Sequence, residues 1–322
     1  MKRIGRCLVR LAAGVVLLVM GTGVNAQEVT LRAAVFVPIT STYGELFGRF
    51  IEKVNSEGKG LVQIRLVGGP EAVPSFEQGN AVRSGVLDIA SIPPSFYATI
   101  APEADAAILS TQSVAQQRKS GAWDELNKGH NQKMSAWLLA TYGQGVPFHI
   151  YTNKPVATIG DIKALKLRTV PNYTPFFNTL GATLATLPPG EVQASLERGV
   201  VDGYGWPLLG IFDLGWGQYT KYRVDPGFYD VVVNILVNLN KWKSLREDQR
   251  AFLSRMAQWL DEENLAWTKE KSAAEMKRQR DAGINAVNLG PAYRSQAYNA
   301  YWAELSKRAP EAIKALRPLL DR

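Results

Sequence analysis

Residues 164–207 read ALKLRTVPNYTPFFNTLGATLATLPPGEVQASLERGVVDGYGWP, and this stretch decides the fold. Three short apolar runs, at 165–170, 182–187 and 200–206, alternate with two helical patterns that begin at prolines and end at glycines. An alternation of strands and helices at this spacing predicts a parallel sheet with crossover helices. The stretch therefore indicates an α/β protein.

Two residues of this stretch are predicted to reach a ligand. Parallel sheets bind ligands outside the carboxyl ends of their strands, where helix N-termini also point. Arg168 lies near the end of the first predicted strand, and Trp206 lies at the end of the third. A guanidinium offers paired N–H donors to the two oxygens of a carboxylate, and an indole covers a carbon skeleton. The pattern alone also fits an ion-paired surface arginine and a core tryptophan.

The N-terminal part of the chain repeats the same alternation. Strand patterns at 29–37, 61–67 and 86–92 enclose two helical patterns, so a second β-α-β-α-β unit precedes the first. By the same argument on strand ends, residues around Phe36 and in the range 93–97 are predicted to face a crevice.

The remaining segments predict a long helix and further strands. Residues 114–140 are helical in pattern, whereas 148–152 and 231–239 are typical of strands. A long helical pattern begins at Ser244, the expected N-cap, and runs to about Asp281. At 1.5 Å per residue this helix is roughly 50 Å long, longer than one small domain is wide. We therefore expect it to lie across two domains.

The predicted fold is an α/β clamshell of two domains with mixed β-sheets and crossing hinge strands. Residues 27–147 and about 231–260 are assigned to domain I, and residues 148–230 and about 283–322 to domain II. The long helix, at about 244–281, spans both domains. No Gly/Ser-rich linker separates the two units, which favours domains joined by crossing strands and a hinge.

Residues 1–26 have the composition of a secretory signal peptide. Four basic residues precede the apolar run 11–20, and Val24, Asn25 and Ala26 form a small-residue cleavage site. The apolar run is too short to span a bilayer comfortably, although an uncleaved anchor is the alternative. We expect a soluble protein that is exported to the periplasm.

Charge and cysteine content exclude several functional classes. Four of the net eight positive charges lie in residues 1–26, and no basic run alternates with aromatics, so nucleic-acid binding is not expected. The lone Cys7 lies in the same segment, which leaves residues 27–322 without disulfides, thiol nucleophiles or thiolate metal sites. His130 is expected to be solvated in a turn, whereas His149 either touches the ligand or is buried with a partner.

No motif of an enzyme is present in the sequence. The two histidines lack the HExxH spacing of a zinc site, and neither a Gly-x-Ser-x-Gly elbow nor a Walker loop occurs. The acidic run 261–263 is most simply a solvated face of the long helix. We therefore expect no catalytic residue, no cofactor and no metal.

Several phrases in register resemble one transporter family. They are Tyr151-Thr-Asn-Lys-Pro155, Ile159-Gly-Asp-Ile-Lys-Ala-Leu-Lys-Leu-Arg168, Pro188-Pro-Gly-Glu-Val192, Leu196-Glu-Arg-Gly-Val-Val-Asp-Gly203 and Gly85-Val-Leu-Asp-Ile-Ala90. Together with the long C-terminal helix, they make the chain similar to the solute-binding proteins of tripartite ATP-independent periplasmic (TRAP) transporters. The resemblance implies a periplasmic-binding-protein clamshell that closes on a small anion. It also implies delivery to a small and a large membrane subunit.

The resemblance assigns a role to Arg168 and reveals two departures. The arginine of the family's Leu-Lys-x-Arg phrase, which binds the substrate carboxylate through a bidentate salt bridge, falls on Arg168. Where many members have a second arginine, this chain has Phe148, and where many have Gln-Glu-Asn-Pro, it has residues 204–207, Tyr-Gly-Trp-Pro. Without a second cation, a dicarboxylate would leave one charge poorly paired in a closed, dry site.

The expected ligand is therefore a monocarboxylate with an aromatic or bulky apolar part, such as an aryl-substituted 2-hydroxy or 2-oxo acid. The residues expected to contact it are Phe36, Ser95, Tyr97, Phe148, Arg168, Tyr173 and Trp206. A small aliphatic acid is the alternative ligand if the aromatics pack inside the domains. A sensor that presents its ligand to a membrane receptor is the alternative role. We expect a monomer rather than a dimer.

Overall fold

The computed structural model describes residues 27–321, in which strands and helices alternate. The strands are β1 (Val29–Val35), β2 (Val62–Gly68), β3 (Ile89–Ile92), β4 (Ala136–Tyr142), β5 (Phe148–Thr152), β6 (Lys166–Thr169), β7 (Thr183–Thr186), β8 (Gly203–Pro207), β9 (Tyr222–Asp225), β10 (Val233–Asn238) and β11 (Asn285–Asn288). The predicted signal peptide, residues 1–26, lies outside the described residues.

Helices fill the connections between most of these strands. The α-helices of the described residues are α1 (Thr42–Glu57), α2 (Gln78–Ser84), α3 (Val114–Ser120), α4 (Ala122–Lys133), α5 (Thr174–Thr179), α6 (Pro189–Glu197), α7 (Leu239–Ser244), α8 (Glu247–Asp281), α9 (Pro291–Arg308) and α10 (Pro310–Leu320). Short 3-10 helices cover Pro94–Phe96, Pro102–Leu109, Ile159–Ala164 and Gly217–Tyr219.

The first sheet has five strands in the order β2-β1-β3-β10-β4. β1 pairs in parallel with β2 and β3, as the repeated β-α pattern predicts, and β10 pairs antiparallel with β3 and β4. The aromatic stripe of α1 covers this sheet, with Phe47 and Phe50 fully buried. Ser41 caps α1 because its side chain accepts a hydrogen bond from the amide of Gly44.

The second sheet has six strands in the order β11-β9-β5-β8-β6-β7. The three strands of the stretch 164–207 lie side by side in it, and β6 pairs in parallel with both β7 and β8. β5 runs antiparallel to β8 and β9, so the sheet is mixed. The register places Arg168 opposite Tyr204 of β8 and Ala185 of β7, in the interior of the sheet.

Two segments cross between the sheets and pair with each other. Residues 143–147 lead from β4 to β5, and residues 226–232 lead from β9 to β10. The amide of Val231 donates to the carbonyl of Val146 at 2.9 Å, and the amide of Phe148 donates to Tyr229 at 2.9 Å. The predicted clamshell with mixed sheets and crossing strands is therefore confirmed.

Helix α8 connects the two sheets, as its length predicts. It packs against β4 and α1 on the side of the first sheet. Near its C-terminal end, Gln279 accepts a hydrogen bond from Arg223 of β9 at 2.8 Å. The helix begins two residues later than expected, because Arg246 is the N-cap residue while the Ser244 hydroxyl donates to the carbonyl of Lys241 in α7.

The helical prediction for residues 114–140 is wrong over its last part. Gly121, with φ at 85°, separates α3 from α4, and Ser135, with φ at 45°, ends the helical region before β4. β4 lies between β10 and α8 and is largely buried, so it reads as a continuous apolar run without a two-residue period. The short strands β9 and β11 were not predicted either.

The last two helices pack against different neighbours. α9 packs against α5, whereas α10 packs against α3 and α4.

The acidic run on α8 is only partly solvated, which corrects the prediction. Asp261 forms an ion pair with Arg118 at 3.2 Å, and Glu263 pairs with Arg49 at 2.7 Å. Within residues 27–321 no helix is both long enough and apolar enough to cross a membrane.

Candidate functional site

A small cavity lies between the two sheets, next to the crossing segments. It brings together six of the seven residues predicted to contact a ligand. These six are Phe36, Ser95, Phe148, Arg168, Tyr173 and Trp206. Residues of both sheets therefore meet in one place, as the argument on strand ends predicts.

Arg168 is fully buried and has no carboxylate partner among the described residues. Its Nε donates to the carbonyl of Leu187 at 2.9 Å, and its Nη1 donates to the carbonyl of Gly205 at 3.1 Å. Its Nη2 is buried and has no hydrogen-bond partner within residues 27–321. Two backbone carbonyls thus fix the guanidinium plane, while one terminal nitrogen remains free to donate.

Burial lowers the pKa of Arg168 to about 10, so the side chain still carries its charge at neutral pH. A buried charge without a counter-ion is costly for the folded protein. A carboxylate placed at Nη2 would supply both the missing acceptor and the missing charge. The arrangement is therefore suited to bind an anion from solution.

The remainder of the lining is mostly apolar and aromatic. The centre of the guanidinium lies 5.6 Å from the centre of the Trp206 ring, whose Nε1 donates to the carbonyl of Leu209 at 3.0 Å. Phe148 packs edge-on against Tyr173 with ring centres 5.1 Å apart. Of the residues that the structure describes, Arg168 is the only charged one that lines this cavity. The cavity would therefore suit a ligand that has one carboxylate and an apolar body.

Gly205 allows this packing because a side chain has no room there. A Cβ at this position would lie 2.6 Å from a ring carbon of Tyr173. The absence of a Cβ lets the ring of Tyr173 approach β8 closely, next to the carbonyl that accepts from Arg168.

Tyr97 does not line the cavity, unlike the other predicted residues. Its hydroxyl lies 2.9 Å from Nε2 of His130 and accepts a hydrogen bond from Asn234 at 2.7 Å. The side chain is buried beneath the first sheet, and its hydrogen-bonding capacity is already used there. Its neighbour Phe96 lines the cavity instead.

Neither histidine lines the cavity. His130 was expected to be solvated, but it is buried in α4, where Nδ1 donates to the carbonyl of Leu126 at 2.7 Å. Burial lowers its pKa, which favours the neutral ring. His149 is buried with its Nδ1 2.9 Å from the carbonyl of Val224 and 3.1 Å from Asp225. Of its two predicted roles, the structure agrees with a histidine that is buried with a partner and not with one that touches the ligand.

Several lining residues were missed by the sequence analysis. They are Tyr43, Val170, Pro207 and Val231–Val233, whereas Pro93 and Phe96 line the cavity as predicted. Phe96 and Pro93 belong to the window 93–97 that the sequence places at the crevice. Tyr43 starts α1, and its position in the amphipathic pattern indicated only core packing. No signal in the sequence separates these valines from an ordinary buried strand.

No group of three His, Cys, Asp or Glu side chains in residues 27–321 is placed to hold a metal ion. The cavity itself contributes no acid, histidine or thiol. Its chemistry is that of a binding site with one fixed cation.

Comparisons with known proteins agree with this geometry. Residues 33–309 match the profile of the family described as bacterial extracellular solute-binding protein, family 7. A curated relative from Nostoc sp. (strain PCC 7120), the monocarboxylate 2-oxoacid-binding periplasmic protein all3028, is 24% identical over 234 residues. The alignment covers 66% of this chain and 63% of the relative, which is less than two thirds of its length.

Solved structures share the fold over almost the whole chain. A TRAP periplasmic solute-binding protein from Desulfovibrio salexigens with bound orotic acid has a TM-score of 0.79 at 20% identity, covering 90% of this chain and 98% of that one. Bordetella pertussis DctP7, a receptor that binds pyroglutamic acid, has a TM-score of 0.79 at 17% identity, covering 91% and 100%. Because the family profile spans most of the sequence, the chain belongs to family 7 of the bacterial extracellular solute-binding proteins.

Proposed function

We propose that the protein binds a monocarboxylate with an aromatic or bulky apolar body and delivers it to a small and a large TRAP membrane subunit. The observation that carries this proposal is the free Nη2 of Arg168, a buried cationic donor with no acceptor in the described chain. A charge-assisted pair with a carboxylate is the strongest interaction open to this group.

The charge of the lining supports a single carboxylate. Arg168 is the only charged residue among the described residues around the cavity, and Phe148 occupies the position where the resemblance implies a second arginine. A second carboxylate would be desolvated without a counter-charge, which costs several kcal/mol. The apolar lining favours a hydrocarbon body instead.

The ligands named for the three similar proteins support the same class. A monocarboxylate 2-oxoacid, orotic acid and pyroglutamic acid each carry one carboxyl group. Orotic acid also has a flat ring, which resembles the aromatic body proposed here in shape. At sequence identities of 24% and below, these names guide the choice of test compounds and do not assign the ligand.

The proposed mechanism is closure of two domains over the ligand. We assign the first sheet to domain I and the second to domain II, with 143–147 and 226–232 as the hinge. Residues of both domains line the cavity, so ligand contacts on both sides favour the closed state. We also propose that residues 1–26 are a signal peptide that is removed on export to the periplasm.

A small aliphatic monocarboxylate is the second candidate. The aromatic side chains contact one another as well as the cavity, since Phe148 packs against both Tyr173 and Phe228. If these rings serve mainly as packing, the remaining space suits a ligand without a ring.

Thermal melts against a panel of acids test the proposal. We would refold residues 27–322 to remove any carried ligand and add phenylpyruvate, mandelate, pyruvate or succinate. A ligand at 100 times its dissociation constant adds about 2.7 kcal/mol of stability, which raises the melting temperature by several degrees. The proposal predicts the largest shift with phenylpyruvate or mandelate. A larger shift with succinate would refute it, and a larger shift with pyruvate would favour the second candidate.

A further inference from the structure

The loop that follows β8 approaches the first sheet across the cleft. This loop, residues 208–216, turns at Gly210, whose φ of 97° is readily adopted only by glycine. Two hydrogen bonds hold its shape: Trp206 Nε1 donates to Leu209 at 3.0 Å, and the Trp216 amide donates to Ile211 at 2.8 Å. The loop is therefore a fixed projection of the second sheet.

Asp213 lies in this loop and contacts the start of α1. Its Oδ2 accepts hydrogen bonds from the amide of Thr42 at 2.9 Å and from the Thr42 hydroxyl. Its Oδ1 lies 3.8 Å from Nη1 of Arg278 on α8. Thr42 is the first residue of α1, where free amides and the helix dipole favour a negative charge.

The contact lies directly beside the ligand cavity. Tyr43, the residue after Thr42, lines the cavity from the first sheet, and Pro207, the last residue before the loop, lines it from the second. On each side of the cavity, a lining residue is therefore close in sequence to one partner of the contact between Thr42 and Asp213. Opening the cleft between Tyr43 and Pro207 would pull Thr42 away from Asp213.

We propose that Asp213 is a positioning residue that holds the closed conformation and slows release of the ligand. Its carboxylate joins the N-terminus of α1 to loop 208–216 only when the two domains are closed. This inference rests on the proposed closure of the domains, but not on which acid is bound. Asp213 itself does not line the cavity, so its effect reaches the ligand through the closed state.

Asp213→Asn tests the role of the charge because the amide keeps one acceptor oxygen and nearly the same shape. We expect dissociation of phenylpyruvate to become about 3- to 10-fold faster, with little change in the association rate, given the usual strength of charge-assisted bonds at helix N-termini. Stopped-flow measurement of tryptophan fluorescence gives both rates.

The matched control is Glu197→Gln at the exposed end of α6. It removes the same charge from the domain that holds the second sheet, and the Glu197 side chain forms no hydrogen bond or ion pair in the described part of the chain. We expect this variant to release phenylpyruvate at the wild-type rate. Equal acceleration in both variants would overturn the proposal, because the effect would then be one of net charge.

A measurement of closure keeps the test independent of the ligand. Residues 27–322 lack cysteine, so Arg83→Cys in α2 and Arg198→Cys after α6 accept spin labels at two exposed positions on opposite sides of the cleft. Double electron–electron resonance then gives the distribution of distances between the two spin labels, with and without phenylpyruvate. Asp213→Asn should reduce the short-distance population relative to Glu197→Gln.

Identical distributions in the two variants would overturn the role of Asp213, whether or not phenylpyruvate binds. Failure of phenylpyruvate to bind the wild type would instead count against the proposed ligand. The two hypotheses therefore fail by different observations.

Discussion

Two buried arginines of the second sheet differ in what surrounds them. Arg223 on β9 is 7% exposed, and its Nε and Nη2 each donate to the Asp225 carboxylate at 2.9 Å. Its Nη1 donates to Gln279 at 2.8 Å, so every terminal nitrogen has a partner. Arg168 on β6 is 0% exposed; within the described part of the chain it donates to two backbone carbonyls, and its Nη2 has no acceptor there.

The pKa values of the two side chains move in opposite directions. Burial lowers the pKa of Arg168 to about 10, with no nearby carboxylate to offset it. Burial would also lower the pKa of Arg223, but the hydrogen bonds and charge of Asp225 raise it above the ordinary value. Asp225 is the anionic partner of Arg223, whereas no carboxylate among the described residues pairs with Arg168. We therefore propose that Arg223 stabilises the fold and that Arg168 binds the ligand.

The largest expected effect is the loss of ligand affinity in Arg168→Gln. We expect binding of the acid that gives the largest thermal shift to weaken by about 100-fold or more, since the carboxylate loses its only counter-charge. The unfolding free energy without ligand should not fall, because the variant removes a buried charge that had no counter-ion among the described residues. Calorimetry and urea unfolding measure the two quantities. A loss of ligand-free stability equal to the loss of binding energy would contradict the comparison.

The converse variant, Arg223→Gln, should lower stability and preserve binding. Removing one partner of a buried ion pair leaves Asp225 without its bidentate donor, so the unfolding free energy should fall by about 2–3 kcal/mol. Affinity for the same acid should remain within a few-fold of wild type when measured well below the melting temperature. A loss of affinity without a loss of stability would place Arg223 in the binding site. The proposed difference in role between Arg223 and Arg168 would then be wrong.

Two buried carboxylates, Asp105 and Asp225, extend the comparison to the dependence of stability on pH. Burial raises the pKa of Asp105 to about 7, while the hydrogen bond from Tyr301 opposes that shift. Burial also acts to raise the pKa of Asp225, but the hydrogen bonds and charges of His149 and Arg223 overcome it and lower the pKa below its usual range.

The two shifts have opposite consequences for stability. Folded Asp105 binds its proton more tightly than the unfolded chain does, so its contribution is complete below about pH 4 and is lost as the pH rises to about 7. The contribution of Asp225 is present above about pH 4 and is lost as the pH falls below that value. Asp105→Asn should therefore raise the unfolding free energy by about 1–2 kcal/mol at pH 8 and leave it unchanged at pH 4. Urea unfolding at both values checks this, and an equal effect at both would contradict it.

The smallest expected effect concerns the wall of the cavity. Phe148→Leu keeps an apolar side chain but removes a ring, so phenylpyruvate should bind about 3- to 5-fold more weakly while pyruvate is unaffected. Competition assays with the two acids measure the ratio. Equal weakening of both acids would assign Phe148 to domain packing and not to ligand selection.

The sequence predicted the strands of the two β-α-β-α-β units because they follow from local rules. The order of apolar runs in 164–207 fixed a parallel unit, and strand ends placed Arg168 and Trp206 toward one crevice. The resemblance to a known family then indicated the role of Arg168, and the structure adds the free nitrogen that supports it.

The remaining features depend on contacts between distant segments. β4 looked helical because a strand buried on both faces has no two-residue period. His130 looked solvated because its partner Tyr97 lies 33 positions away in sequence. The bond from Thr42 to Asp213 joins residues 171 positions apart, and no local pattern encodes it.

The most direct test of the account is a crystal structure of the protein with the acid that gives the largest thermal shift. The account predicts a carboxylate oxygen at about 2.7–2.9 Å from Nη2 of Arg168, the distance of a charge-assisted hydrogen bond. It also predicts that the other end of the ligand lies against Phe148 and Trp206. A ligand whose carboxylate is bound elsewhere, with Nη2 still unpaired or paired with a protein carboxylate, would contradict the account.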